Sequence, residues 1–191
     1  GSNSANTLIG NAGSDTLQGL LGADKLDGGA GDDVFIINDS DITDIGNDSI
    51  IGGTGSDTIN YNGITTSGVT IDFGSGTSAT VTIGSYKHTL EEVENIIGTN
   101  LKDILTGSES VNTIQGMDGN DTIYGQAGSD YLYGGNNQDA TSSGDDYIDG
   151  KEGDDKIYGG DGKDTLYGGD GKDTLYGEAG DDSIHGDAGD D

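Results

Sequence analysis

The chain has 191 residues, with 36 acidic against 7 basic side chains for a formal charge of −29, and 38 glycines but no Pro, Cys or Trp. Without Cys there is no disulfide framework and no thiolate metal site. No apolar run reaches the roughly 18 residues of a membrane-spanning helix, and so much negative charge repels nucleic acid and anionic membranes. Gly1 to Gly10 carries no basic stretch followed by an apolar one, so it does not read as a signal peptide. With hydrophobic residues at 29%, composition alone predicts disorder. The order within that composition says otherwise.

In chain order, a nine-residue pattern recurs: GSNSANTLI from Gly1, GNAGSDTLQ from Gly10, GLLGADKLD from Gly19 and GGAGDDVFI from Gly28. A short acidic insertion, Ile37–Ile42, precedes TDIGNDSII from Thr43 and GGTGSDTIN from Gly52. Residues 61–97 leave the pattern: GVTIDFGSG and ATVTIGS read as strands, and LEEVENII as either a short helix or an extended rung. From Gly98 the pattern resumes with GTNLKDILT, GSESVNTIQ, GMDGNDTIY and GQAGSDYLY. A copy carrying seven extra residues around Asn136–Ser143 follows, and then GKEGDDKIY, GGDGKDTLY twice, GEAGDDSIH and a shortened GDAGDD. The organisation expected is a repeat block at 1–60, a hairpin-like or rung-like insertion or cap at 61–97, and a second block at 98–191.

A repeat with Gly at positions 1 and 4, Asp at position 6 and an aliphatic residue at position 8 is the signature of a solenoid. A three-residue strand at positions 7–9 turns position 8 inward and its neighbours outward. Leu17, Leu26, Phe35, Ile59, Ile123, Leu132, Ile157, Leu166, Leu175 and Ile184 are then the expected core. Thr16, Thr58, Thr122, Thr165, Tyr167 and Tyr176 face water. One aliphatic side chain per nine ordered residues is a thin core, because each ordered residue loses conformational entropy. Stacking also brings the position-6 carboxylates together, where like charges repel. A divalent cation between them reverses that repulsion. The donors on offer are carboxylate and carbonyl oxygens, the set Ca²⁺ takes six to eight at a time, whereas Mg²⁺ demands tighter octahedral geometry.

The motif GGxGxDxUx resembles the repeats-in-toxin (RTX) nonapeptide, a calcium-binding parallel β-helix repeat. The resemblance implies an all-β fold: a parallel β-roll, a right-handed solenoid with two nonapeptides per coil and Ca²⁺ in the turns, interrupted by a short β insertion. Its implied position-6 ligands are Asp15, Asp24, Asp33, Asp57, Asp121, Asp130, Asp146, Asp155, Asp164, Asp173, Asp182 and Asp191, with Asp48 and Asp103 in weaker copies. Turn carbonyls, among them those of Gly153, Gly162, Gly171 and Gly180, complete the shells of roughly eight to twelve ions. Asn6 and Asn112 replace the acid, and Leu101 and Val111 lie in loops without Gly at position 4. Sites are therefore expected at 10–36 and 116–191, with a gap around 98–115.

No enzyme constellation stands out. His88 and His185 are far apart in sequence and belong to no HExxH motif, and both read as surface residues. The paired carboxylates fall on positions 5 and 6 of the turns. The family resemblance implies a module that folds in extracellular calcium after type I secretion, within a longer bacterial adhesin or toxin, secreted or at the cell surface. Outward tyrosines, Tyr133, Tyr158 and Tyr176 on one sheet with Tyr124 and Tyr167 on the other, leave an alternative open. On that reading the chain is a carbohydrate-binding accessory module, of the kind alginate epimerases carry, for a polysaccharide or host-surface ligand.

Overall fold

The computed structural model describes residues 1–38, 47–74, 76, 78–84, 86–136 and 142–191. Most of the insertion at 37–42, the start of the repeat at Thr43 and most of the extra residues around Asn136–Ser143 lie outside them. Among the described residues every element is a strand. The first six are β1 (Thr7–Ala12), β2 (Thr16–Leu17), β3 (Lys25–Ala30), β4 (Val34–Asn38), β5 (Ser49–Thr54) and β6 (Thr58–Gly63). The insertion supplies β7 (Val69–Asp72), β8 (Ser78–Ile83), β9 (Tyr86–Glu91) and β10 (Asn95–Ile97). Then come β11 (Ile104–Thr106), β12 (Thr113–Gln115), β13 (Thr122–Ala127), β14 (Tyr131–Tyr133) and β15 (Tyr147–Glu152). The last are β16 (Lys156–Asp161), β17 (Thr165–Asp170), β18 (Thr174–Ala179) and β19 (Ser183–Ala188).

These strands form two sheets, one of 11 strands ordered β1-β3-β5-β9-β8-β7-β11-β13-β15-β17-β19 and one of 8 ordered β18-β16-β14-β12-β10-β6-β4-β2. Consecutive repeats alternate between the sheets, so two nonapeptides make one coil. Thr7 pairs with Lys25, and Thr165 with Ser183, in parallel register. Across the copy with extra residues the register stretches, Thr122 pairing with Tyr147, yet Ile123 still meets Ile148. Pairing resumes in phase because a slip by one position would turn each strand's apolar residue outward.

Position 8 behaves as its period requires. Leu26, Phe35, Ile50, Ile59, Ile123, Leu132, Ile148, Ile157 and Leu166 are all fully buried. Two residues depart from the expected core: Leu175 is only partly buried and Ile184 is 48% exposed. They lie on β18 and β19, the last strands of their sheets, and no further rung covers them. The complete strands are also longer than positions 7–9. β16 and β17 continue through the glycines into positions 1–3 of the next repeat, leaving only positions 4–6 as a turn.

The insertion does not leave the roll. β8 pairs antiparallel with both β7 and β9, while β9 joins β5 and β7 joins β11 in parallel. LEEVENII is therefore a rung, with Leu90 opposite Ile50 and Ile96 opposite Ile59. In the second sheet β10 lies between β6 and β12 with nothing interposed. The first sheet is thus wider there by two strands, roughly 10 Å at the usual strand spacing. A core larger than one residue per repeat backs that width: Tyr61, Ile64, Phe73, Val81, Ile83 and Val93 are buried. His88, expected at the surface, belongs to this core with 0% exposure, because alternation along β9 turns it inward beside Leu90. Burial lowers its pKa to about 4, so it is neutral in the fold.

In the metal-saturated protein, Ile157→Ala should cost about 2–4 kcal/mol of unfolding free energy, as truncation of a fully buried aliphatic does. The half-exposed Ile184→Ala should cost less than half of that. Chemical denaturation of the two variants against the parent checks the contrast.

Candidate metal centre

Each nonapeptide turn presents its position-6 carboxylate to the turn one coil earlier. Asp33 Oδ1 accepts the Asp15 amide at 2.8 Å, and Asp57 Oδ1 accepts that of Asp33 at 2.8 Å. The same bond runs from the Asp121 amide to Asp146, Asp130 to Asp155, Asp146 to Asp164, Asp155 to Asp173, Asp164 to Asp182 and Asp173 to Asp191, at 2.8–3.0 Å. Sequence reasoning assigned these aspartates to metal alone and missed this second task.

The other carboxylate oxygen is where a ligand is wanted. Oδ2 of Asp15, Asp24, Asp33, Asp57, Asp121, Asp130, Asp155, Asp164 and Asp173 is buried with no hydrogen-bond partner. Leaving a buried carboxylate oxygen unmet is costly unless a charge or donor meets it. These oxygens point where the position-1 glycine has no side chain. A Cβ on Gly10 would lie 2.6 Å from Asp15 Oδ2 and 2.6 Å from the carbonyl oxygen of Gly28, one coil on. Carboxylate and carbonyl oxygens from two successive coils therefore converge on one gap. The position-4 glycines serve the close stacking of the turns: Gly153, Gly162, Gly171 and Gly180 have φ of 128°, 153°, 151° and 149°. A Cβ on Gly153 would overlap the Gly128 carbonyl oxygen, so both the backbone angle and the close approach demand glycine.

Among the described residues no three His, Asp or Glu side chains converge to hold an ion by themselves. An ion in these gaps would take most of its ligands from carbonyls, an all-oxygen donor set that fits Ca²⁺ and would give soft-metal chemistry nothing to bind. Burial dominates the electrostatics. It raises Asp121 from 3.8 to about 8, Asp130 and Asp146 to about 7, and Asp155 and Asp164 to about 6, with neighbouring carboxylates adding and the backbone amide bonds opposing. Asp173 is raised for the same reasons. Asp182 and Asp191 close the ladders as acceptors for Asp164 and Asp173.

Three turns are built differently. In the turns of Asn6, Asp103 and Asn112 the position-2 amide donates back into the position-6 side chain: Ser2 N to Asn6 Oδ1 (2.6 Å), Thr99 N to Asp103 Oδ2 (2.6 Å) and Ser108 N to Asn112 Oδ1 (2.7 Å). In the turns with an orphaned oxygen, position 2 instead has positive φ, as at Asn11, Leu20, Met117, Gln126 and Lys151. The sequence signal was present: Ser or Thr at position 2, with no Gly at position 4. Asn112 goes further, its Nδ2 donating to the Glu94 carbonyl at 2.7 Å, an uncharged donor where other turns direct an acid.

The family model described as RTX calcium-binding nonapeptide repeat (4 copies) matches residues 1–35, 42–63, 106–140, 141–175 and 167–191. Among curated proteins none matches the chain.

The raised aspartates fix the pH dependence of the metal-free fold. A carboxyl with a higher pKa folded than unfolded stabilises the fold when protonated, fully below its ordinary value of 3.8 and no longer once the pH has risen through its folded value. In excess chelator, residual β structure should thus be greatest below about pH 4 and disappear between about pH 6 and 8. Circular dichroism across that range checks it; equal order at pH 4 and pH 8 would contradict it.

Proposed function

We propose, from the premise that this chain belongs to the family of RTX calcium-binding nonapeptide repeats, that its calcium-binding β-roll is a folding switch, disordered in low calcium and ordered in high. The observation that carries this reading is the set of nine buried, unpartnered Oδ2 atoms lined along the turns. Calcium in the gaps supplies the positive charge that lets those carboxylates stay ionised while buried. The chain's own residues do the rest. Asp15, Asp24, Asp33, Asp57, Asp121, Asp130, Asp146, Asp155, Asp164 and Asp173 would hold the ions, with Asp182 and Asp191 closing the ladders. Glycines at positions 1 and 4 let the coils approach, and position 8 seals the interior. Calcium affinities of extracellular modules, about 10⁻⁴–10⁻³ M, make the transition sensitive to leaving the cell.

That sensitivity, and the absence of Cys and Trp, support a segment of a longer bacterial polypeptide exported unfolded by type I secretion and folding outside, within an adhesin or toxin. The reading as a carbohydrate-binding accessory module gains nothing from the tyrosines. Tyr133 stacks on Tyr158 (5.0 Å, 4°) and Tyr158 on Tyr176 (4.9 Å, 15°), and Tyr167 stacks on His185 (4.7 Å, 9°). Both faces of Tyr158 are covered by its neighbours, so these stacks supply cross-strand stabilisation of the sheet.

Far-UV circular dichroism during a calcium titration at neutral pH should show a coil-to-β transition, and Asp164→Ala should move its midpoint to several-fold higher calcium. An unshifted midpoint removes Asp164 from the ligands. A chain already β-ordered in excess chelator at neutral pH and low salt overturns the switch.

A further inference from the structure

The insertion returns to the second sheet through Glu92, Val93 and Glu94, a turn without the repeat motif and outside the residues the family model matches. It nonetheless reproduces the contact that defines the repeat turns. Glu94 Oε2 accepts the Asp57 amide at 2.8 Å, as Asp57 Oδ1 accepts that of Asp33. Three residues lie between Glu91, level with Ile51 at position 9, and Asn95, level with Thr58 at position 7, where a repeat has six, and the longer glutamate side chain delivers its oxygen where a full-length repeat would place an aspartate. Glu92, with φ of 53°, sets its carbonyl oxygen over Gly52. A Cβ on Gly52 would meet that oxygen and, at 2.6 Å, Asp57 Oδ2. Asp57 is 0% exposed and its Oδ2 has no partner. Beside this gap opens a cavity of about 250 Å³ between the diverging turns, lined among others by Gly53, Phe73, Glu92, Glu94 and Glu109 and by no basic side chain.

We propose that the calcium site of the Asp57 turn is completed from outside the repeat pattern, held by Asp57 Oδ2 together with the Glu94 carboxylate and the Glu92 carbonyl of the insertion, with water from the cavity completing the six to eight oxygens calcium takes. It rests on the calcium reading of the repeats and adds a function for the insertion: the ion clamps the β9–β10 rung to the block before it. Being fed from an open cavity, it exchanges faster than ions buried between two repeat turns.

Two experiments on the full chain test it. Crystals grown in calcium should show an anomalous peak between Asp57, Glu92 and Glu94; peaks in the repeat turns with this gap empty would overturn the site and leave the parent reading intact, whereas no peak anywhere would overturn both. Calorimetric titration of Glu94→Gln, which keeps an acceptor for the Asp57 amide, should find one ion fewer than in the parent, and an unchanged count would overturn the assignment. Should that variant fail to fold, the diffraction result on the unmodified chain still decides.

Discussion

One carboxylate with two obligations governs this molecule. In the regular repeat turns, Oδ1 of the position-6 aspartate ties down an amide of the preceding coil, and that bond exists only when the coils stack. The same stacking buries Oδ2 and leaves it facing oxygens, not donors. The residue that locks one coil to the next is therefore also the residue that penalises the stack until a cation arrives. On the proposed reading, folding and calcium binding would become one event because both demands meet on a single side chain. The glycines follow from the same constraint: anything larger at position 1 would occupy the space in which those oxygens converge.

The middle of the chain solves the problem by other means. In the turns of Asp103 and Asn112 the position-2 amide folds back and satisfies the position-6 side chain locally. The widened first sheet adds Val81 and Ile83 on β8, buried in one core with Phe73 and with Tyr61 of β6, an apolar interior of the ordinary kind. The roll thus carries unpartnered buried carboxylate oxygens toward its ends and a larger apolar core at its waist. β8 contributes local antiparallel pairing, which closes shorter loops than the parallel coils do. His88 marks how far this waist departs from the repeats: a neutral imidazole with no exposure sits near the Tyr61 ring, its Nδ1 3.9 Å from Asp48 Oδ2.

The sequence by itself determined the repeat length, the inward residue, the acidic edge and hence the parallel roll and the oxygen chemistry of its turns. All of these are periodic, and a period of nine with one apolar residue has few ways to stack. Even the exceptions at Asn6, Asp103 and Asn112 were written in the letters of positions 2 and 4. What only the tertiary structure decided concerns pairs of residues that no period relates. The amide partner of each aspartate lies a full coil away. The widening of one sheet depends on β8 turning antiparallel between β7 and β9, and the exposure of Ile184 on the absence of a covering rung. Glu94 stands in for an aspartate although it belongs to no repeat, because backbone register, not motif, brings it opposite Asp57. Periodicity fixes what each residue does within its rung; which rung it meets is settled when the chain closes on itself.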